Sequence, residues 1–268
     1  MATPALAALN AINPALSQNL DARPKKDVLL PPQVFVFELS AGGVSTRMAD
    51  WQAAARDNLT TAATRLAGDS SLFKLVPTPQ LRSFDLDQLQ AHIGLYDRVA
   101  QSVFVYGRGE QSAWAHKKSE FDYTAGPGLA FLRKQTGADS ALIVLGSDSI
   151  SSGGRKAAFA AGLLLGFVMP LGQAFMAAEI VDLKTGDVQW MSFDASSSMD
   201  SRKPDSWTPK AGCRSSTKPR QLSIFSVACR SLKRWWRACD SDKLGKQKKG
   251  VSRETPSLIP ATLRSISP

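Results

Sequence analysis

Residues Ala177–Phe193 read AAEIVDLKTGDVQWMSF, and this stretch decides the predicted fold. Two apolar runs, Ala177–Asp182 and Val188–Phe193, flank the polar residues Lys184–Asp187, which favour a turn. Apolar runs on both sides of a short turn containing glycine are typical of an antiparallel β-hairpin. The sequence therefore predicts a hairpin here, with Trp190 as its anchor in the core.

Strands and helices are predicted in alternation before this hairpin. Val34–Leu39, Leu72–Val76 and Ala141–Leu145 are short runs rich in β-branched and apolar residues, which predicts three strands. Apolar residues at helical spacing predict one helix that begins at Asp50 and a longer helix that begins near Asp85. The alternation favours a sheet with helices packed on it.

A short helix is predicted after Pro127, with Gly137 as its carboxyl cap. With this helix the chain reads as an α/β (α+β) domain with a mixed sheet of about five strands. We predict three regions: a flexible linker over residues 1–30, the α/β domain over 31–200, and a basic, disordered tail over 201–268.

The net charge of +10 is concentrated in the predicted tail. Residues 201–268 contain 16 basic and 4 acidic side chains, whereas residues 1–200 contain 17 basic and 19 acidic ones. The tail also contains a basic and aromatic patch of Lys233, Arg234, Trp235, Trp236 and Arg237. One interpretation is an arm that binds nucleic acid or anionic lipid. The other is that the tail is the product of a frameshift, which its altered usage of Arg, Ser, Trp and Cys favours.

Residues 1–20 contain neither a basic segment nor a continuous apolar run, so they do not form a signal peptide. Their Ala, Asn and Pro content is similar to the spacer that follows the signal of a mature lipoprotein. With a signal peptide upstream of Met1, the predicted location is the periplasm, in association with the outer membrane. With Met1 as the true start, the predicted location is the cytoplasm.

An insert without charged residues lies between the third strand and the hairpin. Residues 157–178 contain 22 uncharged residues, interrupted by Pro170 and Gly172. Three interpretations are open: a short helix followed by a buried strand, a membrane-spanning helix or hairpin, or a switchable membrane-inserting element. Small residues at helical spacing predict one face for close contact with another subunit or the membrane. These residues are Ala158, Gly162 and Gly166.

Catalytic motifs are absent from the sequence, which contains no HExxH, GxSxG or GxxxxGK[ST] pattern. We therefore predict a protein that is not an enzyme and binds no cofactor. A weak candidate for anion binding is the helix start formed by Gly153, Gly154, Arg155 and Lys156. An alternative prediction is an enzyme with an unrecognised site around Asp148, Ser151 and Arg155.

Several motifs resemble a known family. Residues 136–144 are similar to the helix, Gly-Ala-Asp and strand junction of CsgG-like envelope lipoproteins, and residues 180–190 are similar to their hairpin. The hairpin signature residues here are Asp182, Gly186 and Trp190. The same layout occurs in the amino-terminal domain of TolB-like proteins. Residues 36–43, 126–129 and 151–155 are also similar to segments of proteobacterial envelope lipoproteins.

The resemblance implies residence in the periplasm, a lipid anchor at the outer membrane, and self-assembly or scaffolding. The chain departs from the family because no lipidated cysteine and no hairpins of barrel length are evident in the sequence. We predict a non-enzymatic envelope protein that forms homo-oligomers, binds an envelope partner or contacts the membrane. The alternative partner is nucleic acid or anionic lipid, bound through the tail.

Overall fold

The computed structural model describes residues 9–18, 23–68, 74–106, 120–196 and 200–207. In this part of the chain, eight strands form one mixed sheet, and five helices accompany it. The strands are β1 (Leu9–Ile12), β2 (Lys26–Leu29), β3 (Gln33–Leu39), β4 (Ser45–Arg47), β5 (Lys74–Pro77), β6 (Ser140–Ser151), β7 (Ala174–Asp182) and β8 (Val188–Ser196). The helices are α1 (Pro14–Gln18), α2 (Ala49–Gly68), α3 (Ser83–Tyr106), α4 (Ala130–Thr136) and α5 (Gly153–Leu164).

Strand β6 is the centre of the sheet. The order is β1-β8-β7-β6-β2-β5, and β3 pairs with both β6 and β4. Strands β2 and β3 lie end to end along β6 and parallel to it, with Val28 opposite Ala141 and Val36 opposite Asp148. Pro31 and Pro32 separate them because proline has no N–H to donate to a neighbouring strand.

The two faces of the sheet are covered by different helices. Alternate residues of β6 point to opposite faces, so Leu142 and Val144 join one core while Ile143 and Leu145 join the other. The apolar stripe of α2 covers the first face, and the stripes of α3 and α4 cover the second. The result is three layers, with the sheet in the middle.

The predicted fold class is confirmed, and the hairpin is present as β7 and β8. The sheet is larger than the five strands predicted, because β1, β2 and β4 are short and contain polar residues, which obscures a strand pattern in the sequence. Both β1 and β2 lie within residues 1–30, which the sequence predicts as linker. At the other end, Trp207 is fully buried although it lies beyond residue 200.

The insert divides where Pro170 and Gly172 interrupt it. Helix α5 ends at Leu164 and strand β7 begins at Ala174, as the first of the three interpretations predicts. Among the described residues, no helix combines the length and the apolar character needed to cross a bilayer.

Candidate functional site

The connection between β6 and β7 leaves the sheet and returns to it at the same place. We call residues 152–173 the β6–β7 excursion. At its start the Ser152 N–H donates to Leu39 O over 2.9 Å, and at its end Gln173 O accepts from Ser149 N over 2.8 Å. Gly172 is needed at the return point because a Cβ there would lie 1.6 Å from Ser149 O. Both ends of the excursion are thus held by hydrogen bonds at the carboxyl ends of β6 and β3.

Helix α5 begins because Ser152 caps it. The Ser152 Oγ accepts a hydrogen bond of 3.2 Å from the Arg155 N–H, one of the first-turn donors that have no partner within the helix. Neither hydrophobic core in the described residues includes a residue of α5. The helix therefore contributes no side chain to either hydrophobic core, and most of its residues are exposed.

Arg155 fastens the base of the excursion. Its Nε and Nη2 donate to Pro170 O over 3.0 and 2.6 Å, and its Nη1 donates to Ser40 O over 3.2 Å. The side chain is buried, so these charge-assisted bonds replace its hydration. Arg155 thereby joins the start of α5, the end of the excursion and the β3–β4 turn.

Helix α5 ends in a compact turn that closes on itself. The Phe167 N–H donates to Gly162 O over 3.0 Å, and Gly166 adopts a φ of +81°, which glycine tolerates without strain. The Phe167 ring lies on Gly162, where a Cβ would be 2.9 Å from the ring. Further bonds join Leu165 N to Ala161 O and Gly166 N to Leu163 O, both over 3.3 Å.

Large apolar side chains are exposed around this turn. The exposed fractions are 51% for Leu163, 89% for Leu164, 75% for Leu165, 52% for Phe167 and 71% for Val168. We call these five residues the apolar tip. Burying them against a partner would remove apolar area from water, at a gain of roughly 25 cal/mol per Å². The tip is therefore the candidate binding surface of the domain.

The predicted small-residue face is only partly assembled. Ala158 and Gly162 lie on α5, but Gly166 lies beyond the end of the helix. Gly162 is covered by Phe167 of the same chain. The sequence pattern could not show this, because the spacing of the three residues assumes a helix that continues past Leu164.

The predicted anion site is present as a helix start, but its main cation is already engaged. Gly153 and Gly154 are exposed at the first turn of α5, and Lys156 is exposed beside them. Arg155 donates to two backbone carbonyls instead.

The residues of the alternative enzyme site are held by separate partners. Asp148 accepts from the Ser201 N–H over 2.9 Å, and Ser151 Oγ accepts from Gly172 N over 3.0 Å. Arg155 completes the predicted set with the contacts described above. The hydrogen bonds of these three side chains are those of a structural role.

The hairpin signature residues stabilise the β7–β8 turn. Asp182 Oδ1 accepts from Lys184 N and Thr185 N over 2.6 and 3.0 Å. Gly186 O accepts from the Tyr96 hydroxyl over 2.9 Å, and Trp190 is buried in the core. These residues therefore support the fold.

Three buried carboxyl groups have raised pKa values, and of these only Asp148 was a candidate site residue in the sequence. Burial raises the pKa of Asp148 to about 6, although hydrogen bonds from Ser201 oppose this. Burial also raises the pKa of Asp27 to about 6, against the opposing hydrogen bond from Ser140. Burial and the negative charge of Asp97 raise the pKa of Glu179 well above its usual value.

Glu179 is fully buried, and neither of its oxygens has a hydrogen-bond partner. It lies opposite Ile143 and Met191 on the neighbouring strands, so its surroundings are apolar. Burial in this setting raises the pKa of the Glu179 carboxyl group and so favours its neutral form. Ala177 and Val181, two positions away on either side, belong to the core on the α3 face, so the Glu179 side chain points to that face as well.

The predicted basic and aromatic patch of residues 233–237 lies outside the described residues. In the described part of the chain, no three His, Cys, Asp or Glu side chains come together as a metal site.

No protein-family model and no curated protein matches the chain. A PelC dodecamer from Paraburkholderia phytofirmans is similar at 10% identity and a TM-score of 0.35, over 86% of this chain and 97% of that one. Lipoprotein GNA1162 from Neisseria meningitidis is similar at 9% identity and a TM-score of 0.27, over 85% of this chain and 100% of that one. The LpoB C-terminal domain from Salmonella enterica is similar at 15% identity and a TM-score of 0.24, over 69% of this chain and 95% of that one. Similarity of this degree does not identify the function of the chain.

Proposed function

We propose that the chain is a non-enzymatic cell-envelope protein whose α/β domain binds or assembles through the apolar tip. The single observation that carries the proposal is the clustering of exposed apolar side chains. Of the ten large apolar residues exposed in the described part of the chain, five lie within residues 163–168. Scattered apolar residues are normal on a protein surface, whereas a contiguous patch marks an interaction site.

The envelope location is supported by the motifs of the sequence. The hairpin signature Asp182, Gly186 and Trp190 resembles that of CsgG-like envelope lipoproteins, and the structure contains it in a well-formed β7–β8 turn. In this proposal the domain is periplasmic and the tip faces either another subunit or the outer membrane.

The absence of catalysis is part of the proposal and is supported by the contacts of the polar candidates. Arg155, Ser151 and Asp148 each hold a backbone group in place. These contacts hold the β6–β7 excursion and the segment after residue 200, which supports a structural role for the three side chains.

The experiment compares the full chain with two variants. Leu164→Asp places a charge in the tip, and Phe84→Asp is the matched control because Phe84 is 75% exposed on α3, away from the tip. Light scattering gives the oligomeric state, and cosedimentation with isolated envelope membranes gives partitioning. We expect Leu164→Asp to reduce either the oligomeric state or the fraction bound to membranes, and Phe84→Asp to leave both quantities unchanged. If Leu164→Asp changes neither, the tip is not the binding surface and the proposal is wrong.

A further inference from the structure

We infer that the partner of the apolar tip is the surface of a lipid bilayer, into which the tip inserts shallowly. This inference rests on the proposed function and names the partner of the same surface. The first argument is the direction of the exposed side chains. Successive residues of a helix are rotated by about 100°, so Leu163, Leu164 and Leu165 point in three different directions.

Exposure on all sides favours a surrounding lipid environment over a single flat protein interface. A helix that packs against a protein has one apolar stripe, whereas a segment surrounded by hydrocarbon is apolar all round. All three leucines are more than half exposed, and Phe167 and Val168 extend the apolar surface past the helix end. A single flat partner could cover only part of this surface.

The turn pairs several of its backbone N–H groups within the segment, which lowers the cost of entering hydrocarbon. Gly162 O accepts from both Leu165 N and Phe167 N over 3.0 Å, and Leu163 O accepts from Gly166 N over 3.3 Å. Backbone groups that enter a bilayer must be paired internally, since lipid chains offer no partners. The left-handed Gly166 makes this closure feasible without strain.

The charges are placed to match the interface between headgroups and hydrocarbon. Residues 157–178 are uncharged, and the first charge before them is the exposed Lys156. Leu164 lies eight positions after Lys156 on the helix, which corresponds to a rise of about 12 Å along the helix axis. An interfacial segment enters the bilayer by roughly 5–10 Å, which would leave the Lys156 ammonium among the lipid phosphates. At the base, Arg155 binds Pro170 O and Ser40 O, so the segment that carries the tip is held at both ends.

The test is flotation of the full chain with protein-free vesicles. Vesicles of phosphatidylcholine alone are compared with vesicles that also contain phosphatidylglycerol, at low salt and at roughly 0.5 M NaCl, where charge interactions are screened. We expect binding to both kinds of vesicle and retention in high salt. Leu164→Asp and Leu165→Asp should each weaken binding about tenfold or more, because a leucine no longer enters the hydrocarbon. Phe84→Asp should bind as the wild type does.

Three results would overturn the inference. Binding only to anionic vesicles, lost in high salt and unaffected by Leu164→Asp, would assign lipid binding to the basic residues 201–268. No vesicle binding, together with a tip-dependent change in oligomeric state, would make the tip a contact with a second copy; the proposed function would then stand. No effect of Leu164→Asp in vesicles, in envelope membranes or on oligomeric state would refute the proposed function as well.

Discussion

The backbone N–H of Ser201 donates a hydrogen bond of 2.9 Å to Oδ2 of Asp148, in the buried part of the sheet. This bond joins the segment after residue 200 to β6. The Trp207 Nε1 donates to Ser201 O over 2.8 Å, and the Arg202 guanidinium lies 4.1 Å from the centre of the Trp51 ring. Residues 200–207 are therefore packed on the α2 face as part of the domain.

Replacing Trp207 with alanine should lower the free energy of unfolding by about 3–5 kcal/mol, because it leaves a large cavity in the core. Trp207 is fully buried, with its indole N–H paired. Phe84→Ala is the control, and as a surface change it should cost about 0.5 kcal/mol or less. Urea denaturation measures both. Equal urea denaturation midpoints for the wild type and Trp207→Ala would show that residues 200–207 do not contribute to the core.

The stability of the domain should fall as pH rises from about 4 to 6. The pKa of Asp148 is raised by burial to about 6 in the folded state, from 3.8. The contribution of the protonated Asp148 carboxyl to the free energy of unfolding is thus complete below pH 3.8, and it is lost as pH rises through about 6. Asp148→Asn should reduce this slope, and Asp27→Asn/Asp148→Asn should reduce it further because the Asp27 pKa is also about 6. Unfolding curves measured at several pH values give the free energy of unfolding as a function of pH. The same dependence on pH for all three proteins would contradict this prediction.

Removing the buried carboxyl of Glu179 should stabilise the protein. Glu179→Leu eliminates two oxygens that lack partners, and the free energy of unfolding at pH ~8 should rise by about 1–3 kcal/mol. Because the folded pKa is raised, the wild type loses stability as pH rises above 4.5, so the gain should be larger at pH ~8 than at pH ~5. Glu120→Leu, at an exposed position, serves as the control. A lower denaturation midpoint for Glu179→Leu than for the wild type at pH ~8 would refute the prediction.

Gly186 should not tolerate a side chain. Its φ is +81°, and a Cβ would lie 1.9 Å from Gly126 O. Gly186→Ala should therefore cost about 2–4 kcal/mol, through backbone strain and overpacking. Gly94→Ala in α3 is the matched control: it has open space and should stabilise the protein by about 0.5–1 kcal/mol. Thermal unfolding distinguishes the two, and a similar melting temperature for both would count against the structure of the turn.

The role of Arg155 can be separated from anion binding. Arg155→Met removes the donors to Pro170 O and Ser40 O and should cost about 2–3 kcal/mol. Lys156→Met, at the exposed neighbouring position, should cost about 0.5 kcal/mol or less. Inorganic phosphate should not raise the melting temperature of the wild type, because the guanidinium is already engaged. A phosphate-dependent rise that Arg155→Met abolishes would restore the anion site predicted from the sequence.

The sequence by itself determined the elements that depend on neighbouring residues. The β7–β8 hairpin was predictable because its turn is held by Asp182 and Gly186, within a few positions of each other. The carboxyl cap at Gly137 was predictable for the same reason, with its N–H bonded to Arg133 O. The stripes of α2 and α3 follow from helical spacing, since burial repeats with the turn of the helix.

Only the tertiary structure decided which residues become partners across long separations. Strand β1 is placed by pairing with β8, and Trp207 is buried through Asp148 and Ser201, contacts that no local pattern encodes. The uncharged run over residues 157–178 was visible in the sequence, and its division into a helix and a buried strand was one of three interpretations, but the exposure of the apolar tip was not predicted. That division depends on which side chains the sheet and its helices cover, and such coverage is a property of the packed chain.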